Sequence, residues 1–191
     1  NNELRIANDA LIIEQYTTSS FAWQLITTQV FRDPSAWYHI VAVYDSGNAT
    51  STDRIRLYVN GSQITALSTA SYPTLLLSSY VNNAVVHRIG ERAAGTLGDF
   101  LDGYLTEVNF IDGQALTPDS FGAIDFTTGV WSPRPYVGSY GTNGFYLKFA
   151  DASAATAAAI GKDSSGNGNN WTPTNISVTA GVTYEIGRAH V

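Results

Sequence analysis

Side chains alternate with a period of two residues in several short runs, and turn formers break those runs. That pattern constrains the fold more than any other feature of the chain. Phe21, Trp23 and Leu25 share one parity, with Ala22, Gln24 and Ile26 on the other. Ile55, Leu57 and Val59 interleave with Arg54, Arg56 and Tyr58, and Leu105, Glu107 and Asn109 with Thr106, Val108 and Phe110. Successive side chains of a strand point to opposite faces, so this periodicity predicts strands. Residues 37–44 (WYHIVAVY) are almost continuously apolar and predict a strand buried on both faces. Asp33-Pro34-Ser35 punctuates its start and Asp45-Ser46-Gly47-Asn48 its end. Asn60-Gly61 lies between RIRLYV and SQITAL. Both residues accept positive φ, which predicts a two-residue type I′ hairpin.

Helix signals are few. Thr117, Pro118 and Asp119 suit a cap, a first helical position and the positive end of a helix dipole, for a turn or two. Residues 152–160 are Ala-rich but lack an amphipathic pattern and end at Gly161, which predicts a loop or short helix. Residues 129–144 are rich in Gly, Pro and Tyr, as connectors are, and residues 145–149 (FYLKF) read as one further strand. No long repeat occurs. Many short strands without interleaved helices predict an all-β sandwich or barrel.

Only 14% of residues are charged, and the net charge is −6. The polar surface is therefore built from Ser, Thr, Asn, Gly and Tyr, and the acidic balance argues against non-specific binding to nucleic acid or anionic membrane, which both need a basic surface. With 0 Cys there is no disulfide framework, thiolate zinc site or cysteine nucleophile. No apolar run approaches the about 18 residues of a membrane-spanning helix. Met is absent, at position 1 too, which predicts a fragment of a longer or processed protein. Residues 186–191 (IGRAHV) resemble the one-frame translation of a sequencing adapter and are set aside from fold reasoning.

Three segments carry a family resemblance. Residues 37–45 (WYHIVAVYD) with 57–61 (LYVNG) resemble the "W-x-H-V-A-x-x-x-D … L-Y-V-N-G" core of laminin G-like, concanavalin A-like jelly rolls. Residues 100–110 (FLDGYLTEVNF) with Ala115-Leu116-Thr117 resemble that family's closing strand, with Thr106 where an Asp is frequent. Residues 145–149 with 163–169 (DSSGNGN) resemble its opening strand and the loop after it. The resemblance implies an antiparallel β-sandwich of concanavalin A-like jelly-roll type, truncated at its N-terminal side, with a short additional β segment.

The opening motif follows the closing one. That order implies an incomplete jelly roll over 1–125, a connector over 126–144, and over 145–182 the start of a following domain. Residues 183–191 are then a tail. The alternative is that residues 145–149 pair with the strand at 103–110 and close one permuted sandwich. EVNFIDGQAL followed by DSSGNGNNWT also resembles modular proteins of tailed bacteriophages, whose jelly rolls sit in tail fibres and other virion-surface proteins. Such proteins are commonly trimers, so the resemblance implies a homotrimer formed through the parent protein.

Candidate chemistry narrows quickly. Retaining glycosidases of this fold need two carboxylates about 5 Å apart. Glu107 is followed on its own face by Asn109 and Ile111, while Asp112 falls on the other face. No single strand offers a pair, which argues against a glycosidase unless two strands each supply one. His39, His87 and His190 lack metal-ligand spacing, and His39 inside an apolar run predicts a hydrogen-bonded core histidine. No G-x-S-x-G elbow or phosphate-binding loop occurs.

Asp163, Ser165 and Asn167 with Gly168 offer alternating oxygens before a sharp turn, like the first half of an EF-hand calcium loop. Thr174 stands where the bidentate Glu belongs, so a looser calcium site and an ion-free Asx turn are the two readings. Trp131, Tyr136 and Tyr140 in the Gly/Pro-rich stretch are candidates for stacking on sugar rings, against linker packing; Trp23 and Trp37 are expected in the core. Asn48, Asn60, Asn170 and Asn175 open glycosylation sequons, which matter only in a eukaryotic secretory setting.

The expected function is a non-catalytic carbohydrate-binding or adhesion module of a phage tail or virion-surface protein, located on the virion or outside the cell. Its partners would be a cell-surface glycan or other tail-protein domains, with no nucleic acid and no membrane insertion. The alternatives are a structural spacer that binds only protein and, third, a glucanase-like hydrolase.

Overall fold

The computed structural model describes residues 1–92, 99–179 and 189–190; of Asp99, Ala189 and His190 only the backbone is described. Residues 180–182 of the 145–182 segment lie outside the described residues, as do 186–188 and 191 of the adapter-like tail. The strands are β1 (Asn2–Ala7), β2 (Ala10–Tyr16), β3 (Phe21–Val30), β4 (Ile40–Tyr44), β5 (Ile55–Val59), β6 (Ser62–Gln63) and β7 (Leu67–Ser71). They continue with β8 (Glu91–Arg92), β9 (Asp99–Phe100), β10 (Gly103–Tyr104), β11 (Val108–Phe110), β12 (Gly122–Ile124), β13 (Trp131–Pro133), β14 (Phe145–Leu147) and β15 (Ala189–His190). Helix is confined, among the described residues, to 3-10 turns at Ser51–Asp53 and Pro118–Ser120. Thr117 precedes the second turn as its N-cap residue, with Pro118 first inside, but its hydroxyl makes no capping bond. The chain forms two compact units, Asn1–Asn83 with Ala115–Val137, and Ala84–Gln114 with Gly138–Val191.

The first unit holds a four-stranded antiparallel sheet in the order β1-β2-β3-β7, a three-stranded sheet β4-β5-β6 and the hairpin β12-β13. The two larger sheets pack face to face. Leu11 of β2 and Phe31 meet Leu57 and Val59 of β5 in one cluster; Ile13, Trp23 and Leu25 meet Ile55 in another. Each such side chain removed from water contributes about 1.5–3 kcal/mol. Trp23 is 1% exposed, as its parity predicts. Its indole N–H donates to Gln15 Oε1 at 3.2 Å, and the Gln15 amide donates to the Ser78 carbonyl at 3.2 Å. A buried polar side chain is thereby satisfied inside the apolar core. The Asn60-Gly61 turn forms as expected: Val59 faces Ser62, and Asn60 and Gly61 have φ of 49° and 81°.

The apolar run 37–44 departs from expectation. Only Ile40–Tyr44 form a strand, and Trp37 is 62% exposed. Ile40 pairs with Val59, and His39 still exchanges bonds with Asn60, its carbonyl accepting from the Asn60 N–H at 2.8 Å and its N–H donating to Asn60 Oδ1 at 2.9 Å; there the partner strand turns at Asn60-Gly61 and the ladder ends. β4 is also an edge strand, and only Val43 within it is buried. An apolar run cannot be sealed on both faces where its neighbour ends.

The second unit pairs β11 with β14 antiparallel, matching Val108 with Leu147, Asn109 with Tyr146 and Phe110 with Phe145. β8 pairs with β9, and β10 lies parallel to β15. The alternating run through Leu105 is not one strand. It breaks between β10 and β11, where Glu107 adopts a φ of 56°. Tyr140, Tyr146, Leu147, Ala159 and Ile160 are buried, and residues 151–162 form turns without regular helix. Among the described residues the architecture is all-β and, apart from the two-residue β10–β15 pairing, antiparallel, with a sandwich core in the first unit.

Candidate functional site

Trp131 lies on β13, partly buried. Its ring stacks on His39 with centroids 5.8 Å apart, and its indole N–H donates to His39 Nδ1 at 2.9 Å. A neutral imidazole protonated at Nε2 is the form that can accept this bond. Burial holds the His39 pKa below its ordinary value. The indole also covers two glycines: a Cβ at Gly61 would come within 2.3 Å of the ring, and one at Gly122 within 2.5 Å. Trp131 is thus packed onto the Asn60-Gly61 turn and β12. Tyr136, in the same unit, leans on Phe121 with centroids 5.2 Å apart.

Tyr140 belongs to the other unit and is 8% exposed. Its hydroxyl donates to Asn109 Oδ1 at 3.0 Å and its ring stacks on Tyr146. The structure does not bring Trp131, Tyr136 and Tyr140 together within one unit, and it covers the ring of Tyr140.

Tyr146 is the hub of the second unit. Its hydroxyl donates to Glu107 Oε2, its backbone N–H donates to Asp163 Oδ1 at 2.8 Å, and its carbonyl accepts from Ser164 N–H at 2.7 Å. Lys148 Nζ lies 5.1 Å over the ring. Burial pushes the Tyr146 phenol well above the usual tyrosine range, and the Glu107 carboxylate adds to the rise. The sequence gives no sign of this pair, because it depends on the left-handed turn at Glu107.

The Asp163 loop folds as a clasp. Asp163 Oδ1 accepts from the N–H groups of Tyr146 and Ser165, each at 2.8 Å. Oδ2 accepts from the Ser165 hydroxyl at 2.8 Å and Asn169 N–H at 2.9 Å. Burial alone would raise this carboxyl; those hydrogen bonds outweigh it and hold the pKa below the ordinary value. The Asn167 amide donates to the carbonyls of Gly141 and Gly144, and the Asn169 amide to those of Thr142 and Gly144. Calcium would need these same oxygens. Four protein donors already fill the Asp163 carboxylate, and the Asn167 group aimed inward is a donor. Asp163, Ser165 and Asn167 therefore do not fit a calcium site as arranged. No group of three or more acidic or imidazole side chains suited to a metal exists among the described residues.

Two carboxylates do share one face across strands. Glu3 and Glu14 are register partners on β1 and β2. Arg5 bridges them, with Nε 3.2 Å from Glu3 and Nη2 3.2 Å from Glu14. Gln24 donates to the second Glu14 oxygen at 2.6 Å, and Glu14 is 2% exposed. Both carboxylates are ion-paired to one guanidinium, and Glu14 is sealed from solvent. Only the register reveals this pair.

No curated protein and no solved structure gives a significant match to the chain. A laminin G-type family model described as the concanavalin A-like lectin/glucanases superfamily matches residues 1–120. The match spans more than half of the chain, and it includes the strands whose core residues build the sandwich: this protein belongs to the concanavalin A-like lectin/glucanases superfamily.

Proposed function

We propose that the chain is a non-catalytic carbohydrate-binding or adhesion module carried on a virion-surface protein of a tailed phage. Its partner would be a glycan on a host cell. Membership of a superfamily of lectins and glucanases is the observation that carries the carbohydrate reading. The uncharged polar surface supports it, since 14% charged residues leave recognition to hydroxyl, amide and aromatic groups. The Arg5 bridge supports the non-catalytic half. A retaining pair needs a free nucleophile and a protonated acid facing a cleft, whereas Glu3 and Glu14 are tied to one cation. The likeness of EVNFIDGQAL and DSSGNGNNWT to phage tail modules supports the virion setting.

A glycan array with the 191-residue chain tests the first half, and a reducing-sugar assay on glucans tests the second. Binding without sugar release is expected. Turnover that disappears in Glu14→Gln would replace this reading with the hydrolase. Detection of the chain by mass spectrometry in purified tailed virions is the expected result for the location.

One observation favours a protein partner as a second reading. Leu4 and Ile6 on the edge strand β1 pair in register with the core residues Ile13 and Leu11, yet each is 50% exposed. An assembly module would cover them with a neighbouring domain. Light scattering over a concentration series separates the two: a monomer that binds glycan supports adhesion, and a glycan-inert oligomer supports assembly.

A further inference from the structure

We propose that a cleft in the first unit, between the β2–β3 turn and residues 74–83, is the subsite for a short uncharged oligosaccharide. The proposal rests on the carbohydrate reading above and names where that ligand sits. The cleft has a volume of about 530 Å³ and is lined by Thr17, Leu76, Ser79, Tyr80 and Asn83 among others. Small-molecule sites fall in the same size range, about 300–1,000 Å³.

The lining chemistry selects the ligand class. None of the lining side chains carries a formal charge. An anionic ligand would find no cation there, and a cationic one no carboxylate. Tyr80 is 40% exposed and provides an aromatic face. Thr17, Thr74, Ser78, Ser79 and Asn83 line the same cleft with neutral polar groups. A ring face beside neutral donors and acceptors is the complement of a sugar, which presents C–H surface on one side and hydroxyls at its rim. An extended peptide is a poorer fit, because the segment's backbone is already engaged. The Leu77 carbonyl accepts from the Tyr44 hydroxyl, that of Ser78 from Gln15, and that of Ser79 from the Asn83 amide. Strand addition needs free backbone groups on an edge.

The cleft is also built in advance. Asn2 holds the segment from β1, donating to Ser79 Oγ at 3.1 Å and accepting from Tyr80 N–H at 3.1 Å. Gln15 and Tyr44 anchor it to β2 and β4 through the bonds already named. A ligand entering such a cleft spends little on ordering the protein. Leu76 adds a separate sign. Its φ is 60°, a conformation that a large side chain rarely adopts, and its side chain is 73% exposed. The Leu76 N–H bond to the Ser46 carbonyl at 2.8 Å holds it there. Strained backbone that presents an apolar group at the rim of a cleft is a feature that ligand sites concentrate.

The test uses the 191-residue chain and an array of neutral oligosaccharides of two to four residues, followed by calorimetry with the tightest hit. Tyr80→Ala is expected to weaken binding about tenfold or more, and Tyr80→Phe to retain it. Leu76→Gly relieves the backbone strain and so keeps the fold, and it is expected to weaken binding. Tyr104→Ala, in the other unit, is the control and is expected to bind as the parent does. If the hit binds Tyr80→Ala and Leu76→Gly as tightly as the parent, the cleft is the wrong site, while the carbohydrate reading stands. If the parent binds nothing on the array, both fall together.

Discussion

Trp131 and His39, 92 residues apart in sequence, are joined by a hydrogen bond of 2.9 Å from the indole N–H to Nδ1 of the imidazole. That bond exists only while Nδ1 carries no proton. A proton there would set two N–H groups against each other over a partly buried stack.

Stability should therefore fall in mild acid through His39. Burial lowers the folded-state pKa below the ordinary 6.5, so the unfolded chain takes up this proton first. The contribution is fully present above the unfolded value and is lost as pH falls through the folded one. Urea midpoints measured from about pH 7.5 down to about pH 5 should drop. They should drop less in His39→Gln, whose side-chain oxygen can accept the same indole bond without titrating. Equal slopes in the two proteins would sink the idea.

The turn beneath the indole gives a second prediction. Gly61 has a φ of 81°, and its missing Cβ is what lets the Trp131 ring lie 2.3 Å from where that atom would stand. Gly61→Ala should destabilise by roughly 1–3 kcal/mol, through left-handed strain plus the clash. Adding Trp131→Ala removes the clash but not the strain. The double variant should therefore lose less than the sum of the singles, by about 0.5–3 kcal/mol in a denaturation cycle. Strict additivity would mean that the ring does not rest on the turn.

Particular residues show what the chain declares of its own fold and what it hides. β3 is legible because Trp23 and Leu25 share a parity and are both buried. The hairpin is legible because Asn60 and Gly61 can take the conformation it demands. Trp37 misleads because hydrophobicity does not report where a partner strand stops. Trp131 is an aromatic in a Gly/Pro-rich stretch, and only the fold shows which glycines it covers. The Glu3–Arg5–Glu14 bridge is set by register between strands, which no single-strand parity argument reaches. The same holds for Asp163, Ser165 and Asn167. Alternating oxygens can face an ion or the backbone's own N–H groups, and the spacing serves both.

Acid should expose the clasp around Asp163. Its carboxylate is held below the ordinary pKa of 3.8 by donors from Tyr146, Ser165 and Asn169. A depressed carboxyl contributes stability above the unfolded value and loses it as pH falls through the folded one. Asp163→Asn should flatten the stability profile below about pH 4. Asp163→Ala should cost more at neutral pH, roughly 2–4 kcal/mol, because it strands backbone donors that are partly buried. Thermal unfolding monitored over a pH series checks both.

Calcium separates an ion site from a clasp most directly. A carboxylate accepting from four protein donors has no lone pair left for a cation unless the loop opens. Opening it would also strand the Tyr146 N–H and release the Asn167 amide from Gly141 and Gly144. A ligand that binds only the folded state raises stability by about 2.7 kcal/mol at a hundred times its Kd. A real site would thus shift the melting temperature visibly between millimolar calcium and EDTA. The expected result is no shift, and equal melting temperatures for the parent in both buffers. A calcium-dependent rise that vanishes in Asp163→Asn would overturn this and show that the loop rearranges around an ion.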